Sequence, residues 1–305
     1  MQATTLVILN PWSGRGRGAT SRGQVEQGLR ESGLPFEITE TTGPGHAIGL
    51  AREAARAGMR RVIVAGGDGA IHEAVNGLVH EPASTDGATP VALGVVPLGT
   101  GNDFAKLVGV YGMPPRVAAL QMMRAAEAVF DVGRCGAELF DNIMGVGFDA
   151  ETVRHADRIK RLRGVAVYLA AIYRTFLSFR APHLEIVSAE HRESGPMMMC
   201  TAHIGISGGG SFFLAPEADP QDGLLDVCLI RKVGLMTFLR SVPRVMRGTH
   251  TSLDEVTLFR TRSLTIRSAD GRPLVLQLDG ELRELGRTEI TITIEPGRLR
   301  VLVAR

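Results

Sequence analysis

From its start to about Asp131 the chain alternates short β-rich runs with helical runs, and this alternation constrains the fold more than any single motif. The order is TLVIL, a glycine-rich loop with a helix, FEIT, the helix AIGLAREAARAG, RRVIVA, another helix, and VALGVVP. Strands separated by helices pair in parallel, with the helices covering the sheet. Ligands of such sheets bind beyond the carboxyl ends of the strands, and the glycine-rich segments of this sequence fall there.

After Asp131 the texture changes. LEIVSA, MMMCTAHIGIS, LLDVCLI, SLTIRS, LVLQLDG and TEITITI are rich in β-branched residues and separated by turn residues, the pattern of mostly antiparallel strands. Helical insertions are expected at residues 152–179 and at LMTFLRSVPRVM. The boundary is expected near residues 130–140, giving domains of 1–131 and 132–305, with the C-terminal end able to return to the first. A chain of 305 residues has room for both, since one core serves roughly 100 to 200 residues.

A net charge of +2 gives no reason to expect a nucleic-acid partner, and a hydrophobic content of 44% argues against disorder. Cys135, Cys200 and Cys228 are far apart and lack metal-ligand spacing, which suits buried thiols in a reducing compartment. The start, MQATTLVILNPWSG, has no basic region before its apolar run, so it reads as a first strand and not as a signal peptide. VAVYLAAIYRTFLSF is broken by Arg174 and is shorter than the ~20 residues that cross a bilayer. A cytoplasmic protein is expected.

Three loops carry candidate chemistry. NPWSGRGRG, residues 10–18, leaves a strand and enters a helix, so its glycines can turn N–H groups toward an anion, with Arg15 and Arg17 adding charge. It matches neither G-x-G-x-x-G nor the Walker A pattern. In IVAGGDGAIHEAVNG, residues 63–77, Ile71, Val75 and Leu78 share a core face, whereas His72, Glu73 and Asn76 are expected on a non-core face. Asp68 sits at the strand's end among Gly66, Gly67 and Gly69. A capping aspartate is an ordinary role, worth ~1 kcal/mol, but it would not require three glycines. PLGTGNDFA, residues 97–105, repeats the design; Thr100 offers a hydroxyl to phosphate and Asp103 a carboxylate to a hydrated cation.

In this order, NPWSG, Thr41 in TTGPGHA, GGDGAIHEAVNGL and PLGTGNDFA resemble the catalytic domain of the diacylglycerol kinase family of lipid kinases. FDVG at 130–133, GFDAE at 147–151, GGGSFFLAPEADPQDGLLDV at 208–227 and LDGE at 278–281 extend the resemblance over nearly the whole chain. It implies an α/β N-terminal domain, Rossmann-like with a parallel sheet of the NAD kinase and diacylglycerol kinase type, and a mostly antiparallel β-sandwich C-terminal domain.

The resemblance also implies ATP and Mg2+. ATP would be held by Asn10, Pro11, Trp12, Ser13, Gly14, Thr41, Gly66, Gly67, Asp68, Gly69, Ala70, Ile71, His72 and Thr100. Asp68 would work near the transferred phosphate, with Asp103 and Asp131 completing a magnesium–water network. Glu281 resembles the general base, with Asp279 as its neighbour, and either of them, or Asp68, could take the proton of a lipid hydroxyl. Asp222, with the carbonyls of Asp219 and Leu224, resembles a structural magnesium site. Ala70 stands where the family usually has Thr or Ser, and Gln221 replaces an acidic residue.

The implied reaction is phosphoryl transfer from ATP to a lipid hydroxyl, foremost diacylglycerol to phosphatidic acid. Alternative acceptors are a sphingoid base, phosphatidylglycerol or another lipid alcohol. NAD kinases carry GGDG too, but do not normally pair it with NPxSG and GTGNDFA. A regulator that kept the fold and lost turnover is the reading from another class, and the intact Asp68, Asp103 and Glu281 oppose it. A lipid substrate makes peripheral membrane association one reading of the basic helical region, the other being a core-packed helix with a solvated basic end. Arg158, Lys160, Arg161 and Arg163 beside Leu169, Ile172, Tyr173, Phe176 and Leu177, with Arg240, Arg244 and Arg247, are candidates to meet anionic headgroups. Exposed β edges in the second domain offer a route to a homodimer.

Overall fold

The computed structural model describes residues 4–79, 87, 89–156 and 165–304. The basic run from Arg158 to Arg163 and the Leu169 side chain lie outside the described residues. The chain divides into two compact units, Met1–Val132 with Pro296–Arg305, and Gly133–Glu295.

The first unit contains β1 (Thr5–Leu9), α1 (Ser13–Glu31), β2 (Glu37–Glu40), α2 (His46–Arg56), β3 (Arg61–Gly66), α3 (Asp68–Leu78), β4 (Ala92–Pro97), α4 (Asp103–Leu107), α5 (Pro115–Arg124) and most of β5 (Ala126–Cys135). The second continues with β6 (Glu138–Phe140), β7 (Ile143–Gly147), α6 (Phe148–Ala156), α7 (Val165–Ser178), β8 (His183–Val187), β9 (Arg192–His203) and β10 (Leu225–Arg231). It ends with α8 (Leu235–Val245), β11 (Val256–Thr261), β12 (Ser263–Ser268), β13 (Val275–Leu278), β14 (Glu281–Glu284) and β15 (Glu289–Val303), whose last residues belong to the first unit.

The first unit is a parallel sheet in the order β15-β4-β3-β1-β2, as the strand–helix alternation predicts. Strands β1 and β4 are buried at every residue and β3 at all but its first, which explains their unbroken apolar runs. Small residues let the helices close on one another. A Cβ on Gly77 of α3 would stand 2.4 Å from the Ile48 carbonyl oxygen of α2, and one on Gly28 of α1 would stand 2.1 Å from that of Arg116 in α5.

This packing corrects one expectation. His72 and Asn76, expected off the core face of Ile71, Val75 and Leu78, are nonetheless buried, at 4% and 7% exposed. The Asn76 amide donates to the His72 carbonyl oxygen at 2.9 Å, an i,i+4 contact that helps to satisfy a buried polar group.

The second unit is built on antiparallel pairings, running β14-β13-β7-β9-β8-β12-β15, with β10 on β9 and β11 on β10. One apolar cluster fills this β-sandwich, with Leu184, Ile186, Cys200, Val227, Ile266 and Ile292 among its members. A second gathers Phe148, Met198, Cys228 and Phe238 under the helices, where Phe176 of α7 stacks on Phe238 of α8 at 4.2 Å. All three cysteines are free and buried, as their isolation in the sequence suggests. The helical insertion expected at 152–179 is described as α6, which starts earlier, and α7.

Candidate active site

Three loops of the first unit meet at the carboxyl edge of its sheet. Beyond β1, Gly14, Arg15 and Gly16 have φ of 58°, 62° and 91°, so the chain makes a left-handed turn before the regular part of α1. That turn lets Gly14 approach the loop beyond β4, where a Cβ on it would stand 2.3 Å from the Leu98 carbonyl oxygen. The loops beyond β3 and β4 also touch: a Cβ on Gly99 would lie 2.6 Å from the Gly67 Cα. The Leu98 N–H donates to the Gly66 carbonyl at 2.8 Å, and the Gly67 N–H to the Ser13 hydroxyl at 3.2 Å. Gly67 and Gly99 therefore serve backbone-to-backbone contact between loops, which any side chain would prevent.

Asp68 is the first residue of α3, and Gly67, not Asp68, holds the cap position. Its Oδ1 instead accepts the Phe104 N–H of α4 at 3.3 Å, joining the β3 and β4 loops. Asp103 is buried and its Oδ1 accepts Lys106 Nζ at 2.6 Å, one turn along α4. Lys106 also lies over the Tyr111 ring, 5.0 Å from its centroid. Asp131, 3% exposed, accepts the Gly297 N–H at 2.7 Å through Oδ1. Among the described residues no three His, Cys, Asp or Glu side chains are grouped to hold a metal ion. A cation near Asp68 or Asp103 would therefore be held largely through water and phosphate oxygens, as Mg2+ commonly is.

Of the other predicted nucleotide residues, Trp12 and Thr100 are exposed, and Asn10 Oδ1 accepts the Trp12 N–H at 3.0 Å. Thr41 is buried beyond β2, with its N–H on the Leu9 carbonyl at 2.9 Å. Ala70, Ile71 and His72 are buried in α3, and Pro11 and Gly69 are half-buried. Lys106 escaped the sequence reading, although its position three residues after Asp103 on a short helix was the available signal.

In the second unit, Glu281 is exposed at the start of β14, whereas Asp279 is 5% exposed. The 219–226 loop is a pair of short turns: Asp219 Oδ1 accepts the Gln221 N–H at 3.0 Å and Asp222 Oδ1 accepts the Leu224 N–H at 2.9 Å. Beside it Asp226 Oδ2 is buried with no hydrogen-bond partner. Burial raises the Asp226 carboxyl above its usual range, Arg260 opposes this, and the charges of Asp222 and Glu217 add to it. The buried Asp226 oxygen lies beside a loop whose Asp222 carboxylate and main-chain carbonyls are the kind of oxygen ligands a hard cation takes. Asp219, Asp222 and Leu224 are the residues that would hold it.

Comparison with known proteins agrees with this geometry. Residues 4–135 match the diacylglycerol kinase catalytic domain, and residues 142–303 match the YegS C-terminal NAD kinase beta sandwich-like domain. The chain is 31% identical over 276 residues to a diacylglycerol kinase of Bacillus subtilis, covering 90% of this chain and 88% of that one. It is 30% identical over 280 residues to a probable lipid kinase YegS-like of Pseudomonas syringae pv. tomato, covering 89% and 85%. A Bacillus anthracis diacylglycerol kinase crystal structure shares the fold, with a TM-score of 0.74 at 19% identity over 98% of this chain and 96% of that one. With Asp68 and the three glycine loops in place, the chain belongs to the diacylglycerol kinase catalytic-domain family and is a lipid kinase.

Proposed function

We propose that the chain transfers the γ-phosphoryl group of ATP to the hydroxyl of diacylglycerol, giving phosphatidic acid. The observation that carries this reading is the convergence of the β1, β3 and β4 loops around Asp68. Phosphoryl transfer asks the protein for positioning and charge neutralisation, and glycine loops held backbone to backbone supply N–H groups in fixed directions. Mg2+ would offset charge on the phosphate oxygens, with Asp68, Asp103 and Asp131 holding its water shell. A carboxylate that accepts the acceptor's proton supplies a further ~10² to 10⁴ in rate, and Glu281 is the candidate.

The substrate lies in a membrane, and α8 carries a surface suited to one. Leu235, Met236 and Leu239 are 44%, 61% and 47% exposed, and Arg240, Arg244 and Arg247 are exposed with them. No Asp or Glu occurs between Asp226 and Asp254. On the neighbouring α7, Tyr173 and Leu177 are exposed as well. Apolar side chains framed only by arginines match an anionic lipid surface, whereas pairing this face with a second copy would set arginine against arginine.

Transfer of labelled phosphate from ATP to an extracted lipid mixture tests the reading, with the product identified by mass. Labelled phosphatidic acid is the expected product. A labelled sphingoid base or phosphatidylglycerol would move the acceptor, and no labelled lipid would overturn the reading.

A further inference from the structure

The turn that carries Glu281 is a two-residue hairpin between β13 and β14, in which Leu278 pairs with Glu281. Asp279 and Gly280 form it with φ of 50° and 86°. Both values are positive, as a type I′ turn requires, and Asp-Gly is among the sequences that tolerate them. A left-handed aspartate has a conformational cost, so something must hold it there.

Three backbone groups do. Asp279 Oδ1 accepts the N–H groups of Asn142 at 3.0 Å and Ile143 at 2.9 Å, and Oδ2 accepts the N–H of Asp141 at 3.0 Å. The bond is returned along the chain, since the Asp279 N–H donates to the Ile143 carbonyl at 2.8 Å. The other side of the turn is fixed by Gln277, 2% exposed. Its Oε1 accepts the Gly280 N–H at 2.7 Å, and its Nε2 donates to Asp149 Oδ2 at 2.7 Å. Asp149 reaches that place only because residue 145 is glycine, where a Cβ would stand 2.0 Å from the same Oδ2.

We infer that Asp279 and Gln277 are positioning residues that hold the hairpin in one conformation and so aim Glu281, and that Asp279 is not the acceptor of the substrate's proton. The inference rests on the kinase reading proposed above and decides between two carboxylates that the family resemblance leaves side by side. Asp279 is buried with both oxygens directed at main-chain donors, so a proton arriving on either would set an O–H against an N–H. Glu281, two residues on, is exposed and follows a turn fixed on both sides. A held turn keeps a reacting group in its productive geometry, and a misplacement of about 1 Å can cost about 10²-fold in rate.

The test combines kinetics with amide exchange in the full chain. In Glu281→Gln, kcat falls by about 10² to 10⁴-fold and the acid limb of the kcat–pH profile disappears. Asp279→Asn and Gln277→Leu lower kcat by up to about 10²-fold, yet keep that acid limb with its midpoint unchanged. Loss of the limb in Asp279→Asn, with its retention in Glu281→Gln, would make Asp279 the proton acceptor and overturn the inference. Glu281 is exposed, so its variant remains a fair test where Asp279→Asn fails to fold.

Exchange of the Asn142 and Ile143 amides gives a readout that does not need turnover. They are slow in the wild type and fast in Asp279→Asn; unchanged exchange would remove the clamp. Absence of any phosphoryl transfer by the wild type, with the amides still protected, would instead sink the kinase reading and leave the clamp standing.

Discussion

The carboxylate of Glu73, on α3, accepts the N–H of Gly45 at 2.7 Å through Oε1, just ahead of α2. Its second oxygen accepts the Ala47 N–H at 3.1 Å, so one side chain satisfies two donors at the start of a helix. This links the GGDG helix to the TTGPGHA loop. Hydrogen bonds to a charged acceptor contribute about 1.5 to 3 kcal/mol each when not fully solvated. Glu73→Ala is expected to lower stability by about 2 kcal/mol and Glu73→Gln by less, measured as the shift of the urea midpoint. An unchanged midpoint in Glu73→Ala would show that the link carries no stability.

Contact between the glycine loops makes a sharper prediction. Gly99→Ala sets a Cβ against the Gly67 Cα and the Asn102 Oδ1, at 2.6 and 2.9 Å. Overpacking of this kind costs about 1 to 3 kcal/mol, here at the place where phosphate is proposed to bind. By contrast, Gly49→Ala within α2 meets nothing within 4 Å and should stabilise the chain by about 0.5 to 1 kcal/mol. Thermal unfolding of the two variants should move in opposite directions.

Acid should weaken the second unit through His203. The imidazole is fully buried, with Nε2 2.9 Å from the Thr201 hydroxyl. Burial depresses it from 6.5 to about 3, against the opposing hydrogen bond of the Gly205 main chain and with the nearby His250 adding to the shift. The folded chain therefore keeps this histidine neutral where the unfolded chain protonates it. Its contribution is present above pH 6.5 and is lost as pH falls toward 3, at no more than about 1.4 kcal/mol per pH unit. His203→Gln should flatten the fall of Tm between pH 6.5 and 4. A slope identical to that of the wild type would rule out His203 as its source.

The loop at Asp219–Leu224 should respond to divalent cations. Chelation is expected to lower the Tm of the second unit and added Mg2+ to restore it, because a ligand held only by the folded state stabilises that state. Asp222→Ala should unfold at the same temperature with and without Mg2+. A full Mg2+ response in that variant would place the cation elsewhere.

For the α8 face, sedimentation with vesicles is the direct measurement. Binding to vesicles containing phosphatidylglycerol should exceed binding to phosphatidylcholine alone and should weaken as salt rises. Replacing Arg240, Arg244 and Arg247 together with Gln should abolish the difference between the two vesicle types. Equal binding before and after the replacement would contradict the proposed role of α8.

Much of the first unit was legible because its physics is local. Strands buried on both faces read as continuous apolar runs, and the left-handed turn at Gly14–Gly16 demands glycines that announce themselves. What those glycines touch was not legible, because Gly67 and Gly99 belong to different loops and meet only once the sheet has formed. The same limit applies to Asp279, whose three donors lie 136 to 138 residues earlier in the chain. The burial of His72 and Asn76 was not legible either, because periodicity shows which side of a helix is apolar, not which polar side chains end up covered.

The final stretch of β15, where Val301 pairs with Leu93 and the Ala304 N–H reaches the Val108 carbonyl, matters for the order in which the protein is made. A ribosome delivers residues 133–295 before it delivers that stretch. The first unit, although begun first, must therefore wait for the second to be synthesised before its sheet gains its last parallel neighbour. A nascent chain stalled anywhere in between would hold β4 with one flank unpaired, a strand edge open to chaperones or to a neighbouring chain.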